Sequence, residues 1–469
     1  MATPDITRIW PSGVSLDKHT GAMNDRGETF EKLAALYGTP LYVMDVRDVA
    51  DRARYFVQTV RDAFSNVTTH VSFAGKAFLS KEIARIVTEQ GMYVDTCSLG
   101  EMKIALAAGV LGRRLVLHGN NKSDEEIRLA IEHDFDKIVL DEPHEADRVA
   151  AIAHELGKRA RVMLRVTVGV HAGGHEYIST AHEDQKFGIA LLPPDHGEIE
   201  DVQSAQFFDQ VAHGPAVAAM HEILEHSEDL EFVGIHSHIG SQIHDADAFI
   251  AAAERVMVLR RAFYATDGFV APEIDLGGGY SVAYVEGDAS MDIADTMQRI
   301  AQTMKDDSAR AGLPLPVISF EPGRWIVAPA GYTLYHVGTV KTVHLDGGKR
   351  RVYVSIDGGM SDNIRPALYG AAYTATLANR SSSAETVLAR VVGSHCESGD
   401  IVARDVQLPA DIRRGDLLAV PVTGAYGRTM ASNYNQFLRP AVAAVDDNGS
   451  HVMIRRETVD DLLQLDVSE

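Results

Sequence analysis

The chain has 469 residues, 45% of them hydrophobic, enough for two domains or for one large barrel with an appendage. Its formal charge of −22 is spread along the sequence, which argues against nucleic-acid or anionic-membrane partners and means that an anionic substrate would need local cationic groups. Only Cys97 and Cys396 are present and no apolar run has signal-peptide or membrane-span character, so a reduced, cytoplasmic protein without a disulfide scaffold is expected.

The first strand signal is PLYVMDV, Pro40 to Val46, followed by a helical rhythm of Val49, Ala53, Phe56, Val60 and Phe64. From about residue 45 to residue 322, short β-rich runs alternate with helical stretches. Eight runs stand out: Val71 to Gly75, Tyr93 to Cys97, Arg114 to His118, Lys137 to Asp141, Val162 to Val166, Phe232 to His238, Glu273 to Gly277 and Val317 to Glu321. Eight β/α units predict a TIM (β/α)8 barrel, whose chemistry sits at the carboxyl ends of its strands. The runs end in or beside Lys76, Cys97 and Ser98, His118 to Asn120, Asp141, Arg165, His238, Gly277 to Gly279, and Glu321. Nearly all are polar or glycine, which stability alone does not demand. The stretch His171 to Gly188 is long for a βα connection and reads as a functional loop or lid. After Glu321 come consecutive strands without long helices, TLYHVGTV, RRVYVSID, AETVLARVVG, DIVARDVQL, DLLAVPVTG and VMIRRETV. They predict an all-β domain, which PLYVMDV is expected to join. The expected division is a barrel over 45–322 and a β-barrel or sandwich domain from 1–44 and 323–469.

Lys76 closes the first run, where it is either a surface lysine of a strand–helix loop or a covalent catalyst, since a desolvated amine can attack a carbonyl. A phosphate loop is excluded, because Gly75-Lys76-Ala77 lacks the upstream glycine and the Ser/Thr that would follow the lysine. Gly277 to Gly279 form either a tight turn or a phosphate cradle. In HSHIGSQ, His236 and His238 are core histidines, a zinc pair or ring partners, and Ser241 offers a hydroxyl. With His171, His175, His182 and His244 they motivate a metal-dependent hydrolase. Such enzymes usually carry His-x-His on the first strand, which here ends in a lysine. Glu321 and Arg324 in EPGR either pair with each other or serve a ligand. Pyridoxal phosphate unites these parts: it needs a lysine, glycine amides and a hydroxyl for its phosphate, a flat group against its ring, and a charge partner for its pyridine nitrogen. Lys76, Gly277 to Gly279, Ser241, His238 and Glu321 supply that set.

Over nearly its full length the sequence resembles the fold type III pyridoxal-phosphate decarboxylases of alanine-racemase-like fold, in particular the diaminopimelate decarboxylases of actinobacterial kind. The resemblance runs through FAGKAF, YVDTCSLGEMKIALAAG, HGNNKS, HEYIST, KFGI, HSHIGSQ, DLGGGY, EPGRW, DGGMSDNIRPALYGA, CESGD, GAYG and SNYNQ. Phe73 and Phe78 stand where the family's lysine motif commonly has tyrosine and asparagine. The resemblance implies that Lys76 carries pyridoxal 5'-phosphate, that His238 stacks on its ring and that Glu321 meets its ring nitrogen. Ser241, Gly278, Gly279 and Tyr434 would hold the phosphate, with Gly323, Arg324 and Tyr426 also at the cofactor. Arg324, Arg365 and Tyr369 would take the distal carboxylate of the substrate. Cys396 and Glu397 would reach the site across a homodimer, Cys396 as a catalytic group and Glu397, with Tyr434, in substrate binding. Related racemases place an arginine where Glu321 stands. A carboxylate keeps the ring nitrogen protonated and favours decarboxylation. The implied reaction is conversion of meso-2,6-diaminopimelate, a diacid diamine, to L-lysine and CO2. A decarboxylase of ornithine or arginine type and a non-catalytic pyridoxal-phosphate carrier are the alternatives, and the donor pair Arg365 and Tyr369 speaks against both.

Overall fold

The structure is a computed structural model that describes residues 5, 7–170, 186–194 and 201–467. The predicted loop His171 to Gly188 falls mostly outside the described residues.

All eight predicted runs form parallel strands: β1 (Thr69–Ala74), β2 (Tyr93–Thr96), β3 (Leu115–Leu117), β4 (Lys137–Leu140), β5 (Ala160–Thr167), β6 (Leu230–Ser237), β7 (Glu273–Asp275) and β8 (Val317–Phe320). Each pairs with the next in sequence, and Ile318 opposite Thr69 closes the barrel from β8 to β1. The strands are almost wholly buried, and this explains why they read as continuous apolar runs. A repeated punctuation follows them. Ser80, Ser98 and Ser123 each accept a backbone N–H from the first turn of the next helix, and Ser123 completes a capping box with Glu126. Between strand end and cap lie only a few residues, so the polar group ending each strand is fixed at the barrel mouth.

The opposite end of the barrel holds a buried ion cluster. Lys137, the first residue of β4, pairs with Glu273, the first residue of β7, and Ser319 donates its hydroxyl to the same carboxylate oxygen. His70 Nδ1 stands 3.4 Å from that oxygen. Burial alone would push the Glu273 carboxyl up, but the Lys137 ammonium overrides it and holds it at about 2. Because the folded value lies below the ordinary 4.5, the contribution is complete above 4.5 and is lost as pH falls through about 2. We expect Lys137→Met to cost about 3–5 kcal/mol, since it strands a buried carboxylate. Urea unfolding followed by far-UV circular dichroism measures it.

The chain divides into two compact units, one of residues 53–281 and 291–323, the other of residues 2–52, 282–290 and 324–469. The second unit contains a sheet whose strands run in the order Ile401–Pro409, Thr386–Val392, Arg350–Ile356, Gly331–His344, Leu41–Asp45, Ala441–Asp446 and Gly449–Ile454. The early strand Leu41–Asp45 lies inside this sheet, antiparallel to Gly331–His344 and parallel to Ala441–Asp446. Phe30 stacks on Tyr332 with ring centroids 4.5 Å apart in the core beneath it. Two boundaries differ from the sequence reading. The helix Val46–Ala63 has one unbroken apolar rhythm, and the units separate within it at Arg52 rather than at residue 45. Residues 282–290 group with the second unit although they lie between β7 and β8, because this short segment has no strand or helix of its own to signal where it packs.

Candidate active site

Lys76 is the one exposed residue in the run 71–80. Its neighbours are fixed by backbone contacts: Ala74 N–H donates to Pro322 O at 3.1 Å, and Gly75 N–H to Asp95 O at 3.1 Å. A Cβ on Gly75 would lie 2.7 Å from that carbonyl, so glycine is what lets the strand turn here. The turn aims the amine into a cavity of about 260 Å³ at the barrel mouth, shared by Asp95, His118, Arg165, His238 and Glu321. Six of the eight strands thus contribute to one concavity.

Glu321, directly after β8, is the hub of this cluster. His236 Nε2 lies 3.0 Å and His118 Nε2 3.3 Å from the same oxygen, Oε1. His118 also stands 3.6 Å from Asp95 Oδ1. Burial keeps both imidazoles neutral, pushing each down to about 3. Burial raises the carboxyls of Glu321 and Asp275 and pushes Asp95 up to about 7; for Asp275 the nearby Glu321 adds to the effect. His118, His236 and Glu321 together have the spacing of a metal-ligand group. His238, the second half of the predicted zinc pair, is absent from that group. Its Nδ1 instead accepts the Gly278 N–H at 3.2 Å, and burial, then Lys76, holds its pKa well below the ordinary value.

The glycine loop and the HIGSQ loop are laced together, with Ile243 N–H donating to Gly279 O at 2.9 Å. A Cβ on Gly278 would meet Glu321 O at 2.2 Å, and one on Gly279 would meet Gly240 O at 2.5 Å. At Gly323, side-chain and backbone atoms of Ala74 and Ala77 stand 3.0 Å from where a Cβ would be. These glycines bring the ends of β6, β7, β8 and β1 within backbone contact, with Ser241 on the same loop as His238. Arg165 lies over the ring of Phe187, 4.5 Å from its centroid. The sequence marks His118 and Arg165 only as strand ends and leaves Asp95 and Phe187 unread. For the first three, the signal is a polar residue at or next to the end of a barrel strand.

In the second unit, Arg324 and Arg365 are both buried among tyrosines. Arg324 donates to Tyr284 Oη, and Arg365 Nε donates to Tyr373 Oη at 3.0 Å. The Arg365 guanidinium also lies 5.3–5.7 Å from the ring centroids of Tyr284, Tyr369 and Tyr426. No carboxylate pairs with Arg365 among the described residues. Arg324, Arg365 and Tyr369, expected at the distal carboxylate of a substrate, lie near Tyr426, expected at the cofactor, and Tyr284 and Tyr373 lie among them unforeseen. The CESGD segment is an exposed tip on buried feet: Cys396 and Glu397 are exposed while His395 and Asp400 are buried. Asp400 accepts from Met360 N–H at 2.7 Å and from His395 Nδ1 at 2.9 Å, and Asn435 Oδ1 accepts from Cys396 N–H at 3.1 Å. Tyr434 is exposed and stacks on His395 with ring centroids 5.5 Å apart.

Comparison with known proteins places these features in a family. The family profile of the pyridoxal-dependent decarboxylase, pyridoxal binding domain, matches residues 51–206 and 208–328. The diaminopimelate decarboxylase of Mycobacterium tuberculosis is 44% identical over 466 residues, covering 98% of each chain. That of Bacillus subtilis is 39% identical over 455 residues, covering 97% of each. Among solved structures, diaminopimelate decarboxylase from M. jannaschii in complex with L-lysine superposes with a TM-score of 0.84 at 30% identity, covering 98% of each chain.

Proposed function

The chain belongs to the pyridoxal-dependent decarboxylases, in their diaminopimelate decarboxylase branch, and from that premise we infer that it is a pyridoxal-phosphate-dependent carboxy-lyase that converts meso-2,6-diaminopimelate to L-lysine and CO2, the last step of lysine biosynthesis. One observation carries the reading: the Lys76 amine and the Glu321 carboxylate open into the same cavity at the carboxyl ends of the barrel strands. The donor set fits the cofactor. Glu321 carries both imidazole contacts on Oε1, which leaves Oε2 for a ring nitrogen, and His238 offers an imidazole on the cavity wall. When bound, pyridoxal phosphate supplies the electron sink for the breaking C–C bond.

The residues divide the remaining work. Lys76 would hold the cofactor through its amine, which the substrate's amine could replace. Glu321 would keep a proton on the ring nitrogen, and His238 would flank the ring. Ser241, Gly278, Gly279 and Tyr434 would hold the phosphate, and Gly323, Arg324 and Tyr426 would also serve the cofactor. Arg365, with Arg324 and Tyr369, takes the distal carboxylate: it is a buried cation facing no carboxylate of its own among the described residues. Lys76 and Cys396 are the two groups able to deliver the proton that replaces the lost carboxyl. Incubating the holoenzyme with meso-diaminopimelate and, separately, with ornithine tests this, scoring CO2 and lysine. Lysine should appear only from the first. Equal CO2 release from ornithine would overturn the substrate assignment.

No helix among the described residues is long and apolar enough to cross a membrane, and both cysteines are free, which supports a cytoplasmic setting. The exposed Cys396 and Glu397 support a homodimer in which each copy completes the other's site. Cys396→Ala and Lys76→Ala would then complement each other. Mixed and re-equilibrated, the two inactive variants should recover about a quarter of wild-type activity, because half the dimers are mixed and each has one intact site. No recovery in proven mixed dimers would refute sharing.

A further inference from the structure

His236 occupies an unusual position for a core residue. It lies on β6, buried, in register with Arg165 on β5 and Asp275 on β7. Its Nε2 stands 3.0 Å from Glu321 Oε1, while its Nδ1 is buried with no hydrogen-bond partner among the described residues. Opposite Glu321 in the ionised form that meets a ring nitrogen, a neutral imidazole presents N–H, because a lone pair there would be repelled. The tautomer is thereby fixed with the proton on Nε2, and the bare Nδ1 is a standing cost to the fold. An apolar side chain of similar size would fill the same space without that cost. What only the imidazole supplies is the hydrogen bond to Glu321. His118 reaches the same oxygen from β3 at 3.3 Å but divides its approach with Asp95 at 3.6 Å, so His236 is the better anchor.

Both contacts fall on Oε1, and Glu321 lines the cavity. We propose that His236 is a positioning residue for the reaction: its Nε2–H anchors Oε1 of Glu321 and turns Oε2 toward the place the cofactor's ring nitrogen would take. This rests on the role given to Glu321 above. The anchoring is needed because burial and the neighbouring acids oppose the charge on Glu321. Asp275 and Asp95 disfavour it, whereas His118, Lys76 and Arg165 favour it. Without the donor, Glu321 would take up a proton more readily and lose its hold on the ring nitrogen.

The test compares holoenzymes of wild type, His236→Leu, His236→Gln and Glu321→Gln. Three quantities are read: the dissociation constant of pyridoxal phosphate by equilibrium dialysis, the pH midpoint of the cofactor's visible absorption, and kcat with KM. His236→Leu should weaken cofactor binding about 10-fold and move the midpoint in the same direction as Glu321→Gln. Its kcat should fall about 30-fold with KM within about twofold, the scale of one hydrogen bond to a charged group. His236→Gln keeps an N–H donor and should stay close to wild type in all three. The proposal falls if His236→Leu binds cofactor as wild type does with an unmoved midpoint while Glu321→Gln shifts it; the role of Glu321 then still stands. If Glu321→Gln leaves the midpoint unmoved, that role falls and this proposal with it. Should His236→Leu not fold, His236→Gln decides: a wild-type midpoint supports the proposal, and a shift as large as that of Glu321→Gln overturns it.

Discussion

Replacing Lys76 with alanine should abolish the covalent, borohydride-reducible attachment of the cofactor and lower lysine formation by at least about four orders of magnitude. The size follows from what the amine does and from the absence of a substitute. Lys76 is the exposed residue on a turn whose backbone is pinned to β2 and to Pro322, so nothing else on β1 can move into its place. The other lysine in the cavity wall, Lys186, lies over Phe187, beyond β5. Borohydride reduction followed by peptide mapping checks the claim directly: label should appear at Lys76 in wild type and nowhere in the variant. The variant should still bind pyridoxal phosphate reversibly through the glycine loop and Glu321. A variant retaining more than about one-hundredth of wild-type turnover would show that the amine is dispensable.

The second large effect is expected at Arg365. Its Nε is committed to Tyr373 and its face to the rings of Tyr284, Tyr369 and Tyr426, which fixes the plane of the guanidinium. A fixed, buried fork suits a carboxylate held by two parallel hydrogen bonds. Arg365→Leu should therefore lower kcat/KM for meso-diaminopimelate about 100- to 1,000-fold, equivalent to about 3–4 kcal/mol. Turnover of ornithine, which has no distal carboxylate to lose, should barely change. Arg365→Lys should recover little, because an ammonium cannot present the fork or lie flat among the rings. Competition between the two substrates, scored by products, measures the collapse in selectivity. A leucine variant that keeps its preference for the diacid would assign the selectivity to other residues.

The barrel strands were legible because each is a short buried run ending in a polar residue or glycine, and those ends are where the cavity lies. Lys76, His238, Glu321 and the glycines could therefore be singled out as strand-end groups, while their roles came from the resemblance to the family. The support of Glu321 by His236 and His118 could not, since residues 118, 236 and 321 meet only once the barrel closes through Ile318 and Thr69. Tyr284 was invisible for another reason. It sits in a segment without regular structure, and only the contact with Arg324 shows where it belongs. The buried feet of the CESGD tip were likewise unread: Asp400 looks like one more surface acid until its hydrogen bonds to Met360 and His395 are counted.

The strand Leu41–Asp45 has a consequence for the order in which the protein can be made. It is synthesised before the barrel, yet both its neighbours in the sheet, Gly331–His344 and Ala441–Asp446, are synthesised after the whole barrel. At ordinary elongation rates it waits on the order of tens of seconds with its apolar edge unpaired. During that interval the barrel can complete itself, whereas the second sheet cannot begin. A chain stalled before residue 441 would leave that strand without one of its two neighbours, making nascent chains a target for chaperones and a source of aggregation.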